Sequence, residues 1–148
     1  MRKVPLGTTI AYGMPGLGAG YMYLLMSLYV MKFSTDVLLI APAVMGVIFS
    51  ISRIWDAVSD PIAGYLSDRT TFKFGRRRTW MLISFIPISF GFLAVFSPPE
   101  SMQGQSLDLW MMIAILSFYS AITLLNVPHM ALGAELSEDY HERTRLFG

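Results

Sequence analysis

The sequence predicts an all-α membrane protein with four transmembrane helices, and the distribution of apolar and charged residues carries that prediction. Of the 148 residues, 54% are hydrophobic and only 14% are charged, whereas soluble domains contain roughly 25% charged residues. Three stretches, 4–31, 79–99 and 109–134, contain no Asp, Glu, Lys or Arg. Each is longer than the roughly 20 residues that a helix needs to cross a bilayer. These observations exclude a soluble globular domain, a disordered tail and a nucleic-acid-binding protein.

The first predicted helix covers residues 8–31. Its apolar run is too long for a signal peptide and further spans follow it, so we interpret it as an uncleaved span. The first half of this helix is rich in glycine and contains a proline: Gly13, Pro15, Gly16, Gly18 and Gly20. Two interpretations stay open, an interrupted helix beside a substrate site and close helix packing through small residues.

The second predicted helix, residues 38–66, is the only one with charges in the interior of its span, which are Arg53, Asp56 and Asp60. At 100° per residue, Asp60 lies about 20° and Asp56 about 60° from Arg53, so the three share one face. A charge at the centre of a bilayer costs about 2.5–3.5 kcal/mol on insertion scales. This face must therefore contact protein or water rather than lipid.

The two aspartates suit a monovalent cation. Their i, i+4 spacing stacks two carboxylates on one helix face, where they repel each other unless a cation lies between them. We expect a site for Na⁺ or H⁺ at Asp56 and Asp60, with Arg53 tuning its charge and with further oxygens from Ser59 and from a helix break at Pro61. The alternative is an ion pair that serves only helix packing, although one Arg cannot neutralise two carboxylates.

The third and fourth predicted helices cover residues 79–97 and 108–134. In the fourth, Tyr119, Thr123 and Asn126 lie within about 60° of one another, as one stripe. Such a stripe forms either hydrogen bonds between helices or the wall of a binding pocket. His129 follows it, and we interpret this residue as a structural hydrogen-bond donor.

The basic residues predict the orientation. The loop 67–78 holds five of the eleven Lys and Arg residues, and the N-terminus and the tail 135–148 lie on the same side of the predicted spans. Because basic loops stay in the cytoplasm, we expect all three segments to be cytoplasmic, in a multi-pass protein of the plasma (inner) membrane. Four helices leave little room for a solvated pathway, so we expect a fragment of a longer transporter.

The residues also resemble a known family. The stretch RIWDAVSDPIAGYLSDR at 53–69, followed by GRRRTW at 75–80, resembles the signature of the glycoside–pentoside–hexuronide:cation symporters, the melibiose-permease-like branch of the major facilitator superfamily. The stretch NVPHMALGAELSEDYHERTR at 126–145 resembles the family's fourth-helix exit, and Tyr12-Gly and Ser34-Thr-Asp36 match its first helix. The resemblance implies a twelve-helix protein, of which these are the first four helices, in its N-terminal bundle.

The resemblance implies site residues position by position. The family's cation ligands correspond here to Asp56, Asp60, Ser59 and Thr123. The family's sugar-binding carboxylates and tryptophan correspond to Gly20, Asn126 and Met130, and Tyr21 and Tyr119 adjoin them as candidate substrate-binding residues. Both sugar-binding carboxylates are thus replaced, which argues against galactoside recognition of that kind.

A charged cytoplasmic cluster resembles the superfamily's motif between helices two and three. It could hold the cytoplasmic side closed in one state and release it in the other, or merely determine topology. Its members are Asp68, Arg69, Arg76, Arg77, Arg78, Glu142 and Arg143.

The predicted function is cation-coupled symport of a sugar or glycoside by alternating access, with Na⁺ or H⁺ as the coupling ion and no other cofactor. The alternatives are the same fold carrying a lipid-like, nucleoside-like or anionic solute, and a non-transporting membrane scaffold. The sequence contains no recognisable nucleophile–base pair and no phosphate-binding loop that would indicate an enzyme. The expected partners are a small-molecule solute, the lipid bilayer and the remaining helices of a longer chain, and no nucleic acid.

Overall fold

Four long helices build the chain in the computed structural model, which describes residues 6–70 and 75–136. They are α1 (Leu6–Lys32), α2 (Pro42–Arg69), α3 (Arg76–Phe96) and α4 (Gln105–Leu136). The described residues contain no strand, which confirms the predicted all-α class. The helices extend beyond their apolar stretches because hydropathy marks the part suited to hydrocarbon, while backbone hydrogen bonding continues into the polar flanks.

The connection between α1 and α2 is more helical than the short linker predicted at 32–37. Phe33–Val37 continues α1 as a π-helical segment, and the Thr35 hydroxyl donates to the Met31 carbonyl at 3.0 Å. The chain then turns at Leu39, whose φ is 55°. Pro42 begins α2, four residues after the predicted start, because a proline at the first helical position needs no backbone hydrogen bond.

Helix α4 is central: α3 packs closely along it, and α2 packs against it as well. A Cβ built on Gly91 would lie 2.9 Å from the Phe118 Cα, so glycine permits the close approach of α3 and α4. Met111, Ile115 and Leu125 of α4 are fully buried in the shared core. Helix α1 packs more sparsely, against α3 and α4.

The outward faces of the helices are apolar. Leu17, Ile62, Phe90 and Ile113, one from each helix, are all more than half exposed. By length and composition, Arg77–Phe96 and Gln105–Gly133 are able to cross a membrane. The mean hydropathy of the other two helices is lowered by the glycines and tyrosines that α1 contains and by the three internal charges that α2 contains. An apolar exterior of this extent is typical of helices that contact lipid or other helices.

Candidate functional site

The charged face of α2 opens into a cavity of about 500 Å³ between α2, α4 and the middle of α1. Both α2 and α4 contribute polar side chains to this space. The lining residues include Tyr23, Arg53, Asp56, Asp60, Tyr119, Thr123, Asn126 and Met130. The structure thus brings together most of the residues that the sequence nominates on α2 and α4.

The two aspartates differ in their hydrogen bonding. The Thr123 hydroxyl, which is buried on α4, donates to Asp60 Oδ1 at 3.0 Å. Asp56 Oδ2 accepts from Arg53 Nη1 at 3.4 Å. Asp56 Oδ1 is buried and has no hydrogen-bond partner among the residues that the structure describes. Because a buried carboxylate oxygen is costly without a partner, this atom is suited to accept a proton or contact a cation.

Arg53 lies at the mouth of this cluster. Its side chain is 59% exposed, against 22% for that of Asp56. The guanidinium carbon lies 5.3 Å from the centroid of the Tyr119 ring, and Tyr23 lines the same cavity. The rings of Tyr23 and Tyr119 meet edge to face at 6.0 Å. The Tyr119 ring therefore contacts the guanidinium beside the carboxylates, while more than half of the Arg53 side chain stays exposed.

The prediction of a helix break at Pro61 is wrong. Pro61 lies inside α2, which continues to Arg69. The proline has no N–H, so the carbonyl of Ala57 loses its usual helical partner although the helix persists. The Ser59 hydroxyl donates to the Asp56 carbonyl at 3.4 Å within the same helix, and it is not among the cavity-lining residues.

The sequence-based choice of residues on α1 differs from what the structure places in the cavity. Gly20 and Tyr21 do not line it, and Tyr21 is 63% exposed. Tyr23 lines it instead. Tyr23 lies three positions after Gly20, so the two share a helix face, and that spacing could have identified Tyr23.

The glycine-rich half of α1 is a continuous helix that includes Pro15, so the structure does not contain the interrupted helix that was one of the two interpretations. Gly13 and Gly18 would have nothing within 4 Å of an added Cβ, whereas at Gly16 a Cβ would lie 3.3 Å from His129 Cε1. Close packing through a small residue therefore occurs at Gly16.

Tyr12 and His129 connect α1 to α4 through reciprocal contacts. The Tyr12 hydroxyl donates to the His129 carbonyl at 3.0 Å, and His129 Nε2 lies 2.8 Å from the Tyr12 carbonyl. Since a carbonyl only accepts, the geometry requires the proton on Nε2. The two rings stack at 4.2 Å with 10° between their planes. This geometry agrees with the expectation of a structural donor at His129.

The predicted cytoplasmic cluster is described only in part. Arg77 Nη2 lies 3.4 Å from Asp68 Oδ1, which links the end of α2 to the start of α3. The Arg69 guanidinium lies 4.4 Å from the centroid of the Tyr65 ring, and Arg78 is exposed. Of the remaining predicted members, Arg76 is described by its backbone alone, and Glu142 and Arg143 lie outside the described residues.

Comparison with known proteins gives consistent matches. Residues 11–148 match the family described as MFS/sugar transport protein. The chain is 36% identical to the uncharacterized symporter sll1374 of Synechocystis sp., with 97% of the chain and 27% of the relative covered. It is 34% identical to the inner membrane symporter YicJ of Escherichia coli, over 93% of the chain and 30% of the relative. It is 27% identical to the isoprimeverose transporter of Lactiplantibacillus pentosus, over 97% of the chain and 30% of the relative. The chain thus spans less than a third of the length of these relatives.

Proposed function

We infer the function from the premise that the chain belongs to the MFS/sugar transport protein family, as one of its glycoside–pentoside–hexuronide:cation symporters. It is part of an integral membrane protein. We propose that the protein carrying this chain couples the movement of Na⁺ or H⁺ to that of a sugar or glycoside by alternating access. It acts as a transporter rather than as an enzyme, and the coupling ion is the only cofactor.

The observation that carries the proposal is the difference in hydrogen bonding between the two carboxylates. Thr123 already holds one oxygen of Asp60, whereas Asp56 keeps a buried oxygen with no hydrogen-bond partner in the described part of the chain. Carboxylate and hydroxyl oxygens from two helices are hard ligands of the kind that small hard cations prefer. A cation there would compensate the repulsion between the two carboxylates and would tie α2 to α4.

The solute would bind beside the cation, in the cavity formed by α1, α2 and α4. A volume of about 500 Å³ falls within the range of small-molecule sites. Tyr23 and Tyr119 offer aromatic surface for a sugar ring, and Asn126 offers an amide for its hydroxyls. The substrate class agrees with the isoprimeverose transporter among the relatives.

The charged residues of the cytoplasmic cluster would regulate access to the cavity from the cytoplasmic side. In this proposal the N-terminus, the loop 67–78 and the tail 135–148 are cytoplasmic, and all four helices cross the bilayer. The Asp68–Arg77 pair would hold the ends of α2 and α3 together in one state and separate in the other.

Uptake by the full-length protein in proteoliposomes tests the proposal. A panel of radiolabelled pentosides, hexosides and hexuronides would be applied under an inward Na⁺ or H⁺ gradient. We expect gradient-driven uptake of at least one solute and its loss in Asp56→Asn and Asp60→Asn. Asp108→Asn, which removes an acid in the first turn of α4 away from the cavity, is the matched control and should retain uptake.

Two outcomes would contradict the proposal. Undiminished uptake in both cavity variants would refute coupling at these aspartates. If no solute were transported, and if cells tolerated Asp56→Asn and Asp60→Asn without loss of the protein's cellular role, the protein would be better explained as a membrane scaffold.

A further inference from the structure

A second cavity, of about 470 Å³, lies between the end of α1 with its π-helical extension and the end of α3. It shares no lining residue with the cavity at the charged face of α2. We call it the terminal groove. Its wall is mostly aliphatic and aromatic, and two of its lining residues carry charges of opposite sign. The lining includes Leu25, Tyr29, Phe92 and Phe96, with Lys32 and Asp36 as the charged members.

The polarity of the terminal groove changes along its length. On α1 the lining residues follow one helix face, with Leu25 and Tyr29 deep in the helix and with Lys32 and Asp36 at its end. From Leu25 to Asp36 the face extends over about 16 Å at 1.5 Å per residue. Half of the hydrocarbon thickness of a bilayer is about 15 Å. The groove therefore has the depth of one leaflet, and its charged end lies where phospholipid headgroups lie.

Aromatic rings line the apolar part between α1 and α3. The ring centroids of Phe33 and Phe96 lie 5.3 Å apart, and those of Phe92 and Phe96 lie 4.9 Å apart. Tyr29 completes the lining on α1 and is 55% exposed. This surface offers an acyl chain the apolar contact that it needs along its length, while the tyrosine places a hydroxyl near the charged end.

Lys32 and Asp36 are exposed and do not neutralise each other. Opposite charges four positions apart on a helix commonly pair, but no ion pair joins these two described side chains. Asp36 Oδ1 accepts from the Thr35 hydroxyl at 3.2 Å. Asp36 Oδ2 and the Lys32 ammonium have no hydrogen-bond partner among the residues that the structure describes. Because the two charges sum to zero, the complementary headgroup is a zwitterion.

We propose that the terminal groove binds one phospholipid with an ethanolamine headgroup, with an acyl chain between α1 and α3, its phosphate at Lys32 and its ammonium at Asp36. A primary ammonium has three N–H donors for Asp36, whereas the quaternary ammonium of choline has none. An anionic headgroup without an ammonium would pair with Lys32 but would repel Asp36. The inference goes beyond the proposed function and requires only that the helices cross the bilayer. In the orientation proposed above, the lipid belongs to the external leaflet.

Native mass spectrometry of the purified full-length protein tests the site, because it counts bound lipids. The protein in detergent would be titrated with three phospholipids that have identical acyl chains and carry ethanolamine, choline or glycerol headgroups. We expect the ethanolamine lipid to bind at one saturable site about fivefold more tightly than the other two, the size of one charged contact at an exposed position.

Charge variants identify the residues that recognise the headgroup. The double variant Lys32→Gln/Asp36→Asn should bind the three lipids alike, because both headgroup contacts are removed while the apolar groove remains. Glu100→Gln removes an exposed charge from the turn after α3, outside the groove. It is the matched control and should keep the preference for ethanolamine.

Bulky variants test the apolar part of the groove. Leu25→Trp would fill its deep end, whereas Leu28→Trp adds the same side chain to the exposed surface of α1 outside the groove. We expect Leu25→Trp to lose one bound lipid whatever its headgroup, and Leu28→Trp to lose none. Thermal melts in detergent check that each variant is folded. If Leu25→Trp does not fold, the charge variants, at two exposed positions, decide the question by themselves.

Three results would overturn the inference. The first is a wild-type protein that binds the three lipids alike or binds none of them. The second is a Lys32→Gln/Asp36→Asn variant that keeps the preference for ethanolamine. The third is an unchanged lipid count in folded Leu25→Trp, which would show that another part of the longer chain fills the groove. Asp56→Asn should keep the lipid preference, so uptake that is insensitive to the aspartates would refute the proposed function and leave this inference intact.

Discussion

Replacing Thr123 with Val removes one hydroxyl while almost preserving the shape of the side chain. In the structure this hydroxyl donates to Asp60 Oδ1 at 3.0 Å, and Thr123 is only 7% exposed. Thr123→Val therefore deletes the one described side-chain hydrogen bond between α4 and the aspartate pair. The backbone of α4 and its contacts with α3 should stay in place.

The size of the effect follows from that geometry. A hydrogen bond to a charged group contributes about 1.5–3 kcal/mol, and the exposure of Asp60 places this one at the lower end. If Thr123 and Asp60 both contact the coupling cation, a loss of about 1.5 kcal/mol raises the Kd for Na⁺ about tenfold. Without the cation, water can replace the hydroxyl at Asp60, so the thermal stability of the cation-free protein should change little.

Sodium titration of the purified full-length protein, followed by tryptophan fluorescence and by thermal shift, measures both quantities. Thr123→Ser keeps the hydroxyl and should bind Na⁺ nearly as the wild type does. Ser117→Ala removes a hydroxyl from the same helix outside the cavity and should have no effect on the Kd. An unchanged Kd in Thr123→Val together with a lower melting temperature would show that Thr123 only packs the helices, and it would refute the reasoning.

Two further predictions concern packing. Gly91→Ala places a Cβ 2.9 Å from the backbone of Phe118, so α3 and α4 must separate and the free energy of unfolding should fall by about 1–3 kcal/mol. The control Gly18→Ala, with nothing within 4 Å of the added Cβ, should leave the denaturation midpoint in detergent unchanged or higher. An equal loss of stability in both variants would argue against the close contact. Tyr12→Phe and His129→Phe each delete one hydrogen bond of the α1–α4 connection and keep the ring stack. Each should therefore lower the free energy of unfolding by about 1 kcal/mol in the same denaturation experiment. Unchanged midpoints would contradict the reciprocal geometry.

Helical periodicity alone is sufficient to group Arg53, Asp56 and Asp60, without any tertiary contact. These residues lie on one helix, and 3.6 residues per turn determines their relative directions. The cost of burying charge in hydrocarbon then predicts that this face avoids lipid, and the structure places all three at the cavity.

The rotation of α1 could not be predicted in the same way. This helix is apolar nearly all round, so hydrophobic periodicity does not distinguish a face that contacts other helices from one that contacts lipid. The choice between Tyr21 and Tyr23 as a lining residue depends on how α1 packs against α4. The contacts of Gly16 and Tyr12 with His129 are part of that packing.

The sequence by itself determined the membrane class, the all-α fold and the charged face of α2, because these depend on local composition and on the geometry of a single helix. Only the tertiary structure decided that Thr123 reaches Asp60 and that Tyr23 and Tyr119 join Arg53 at the cavity. These facts depend on the relative rotation and height of different helices. Packing between distant parts of the chain sets those quantities, and no local pattern encodes them.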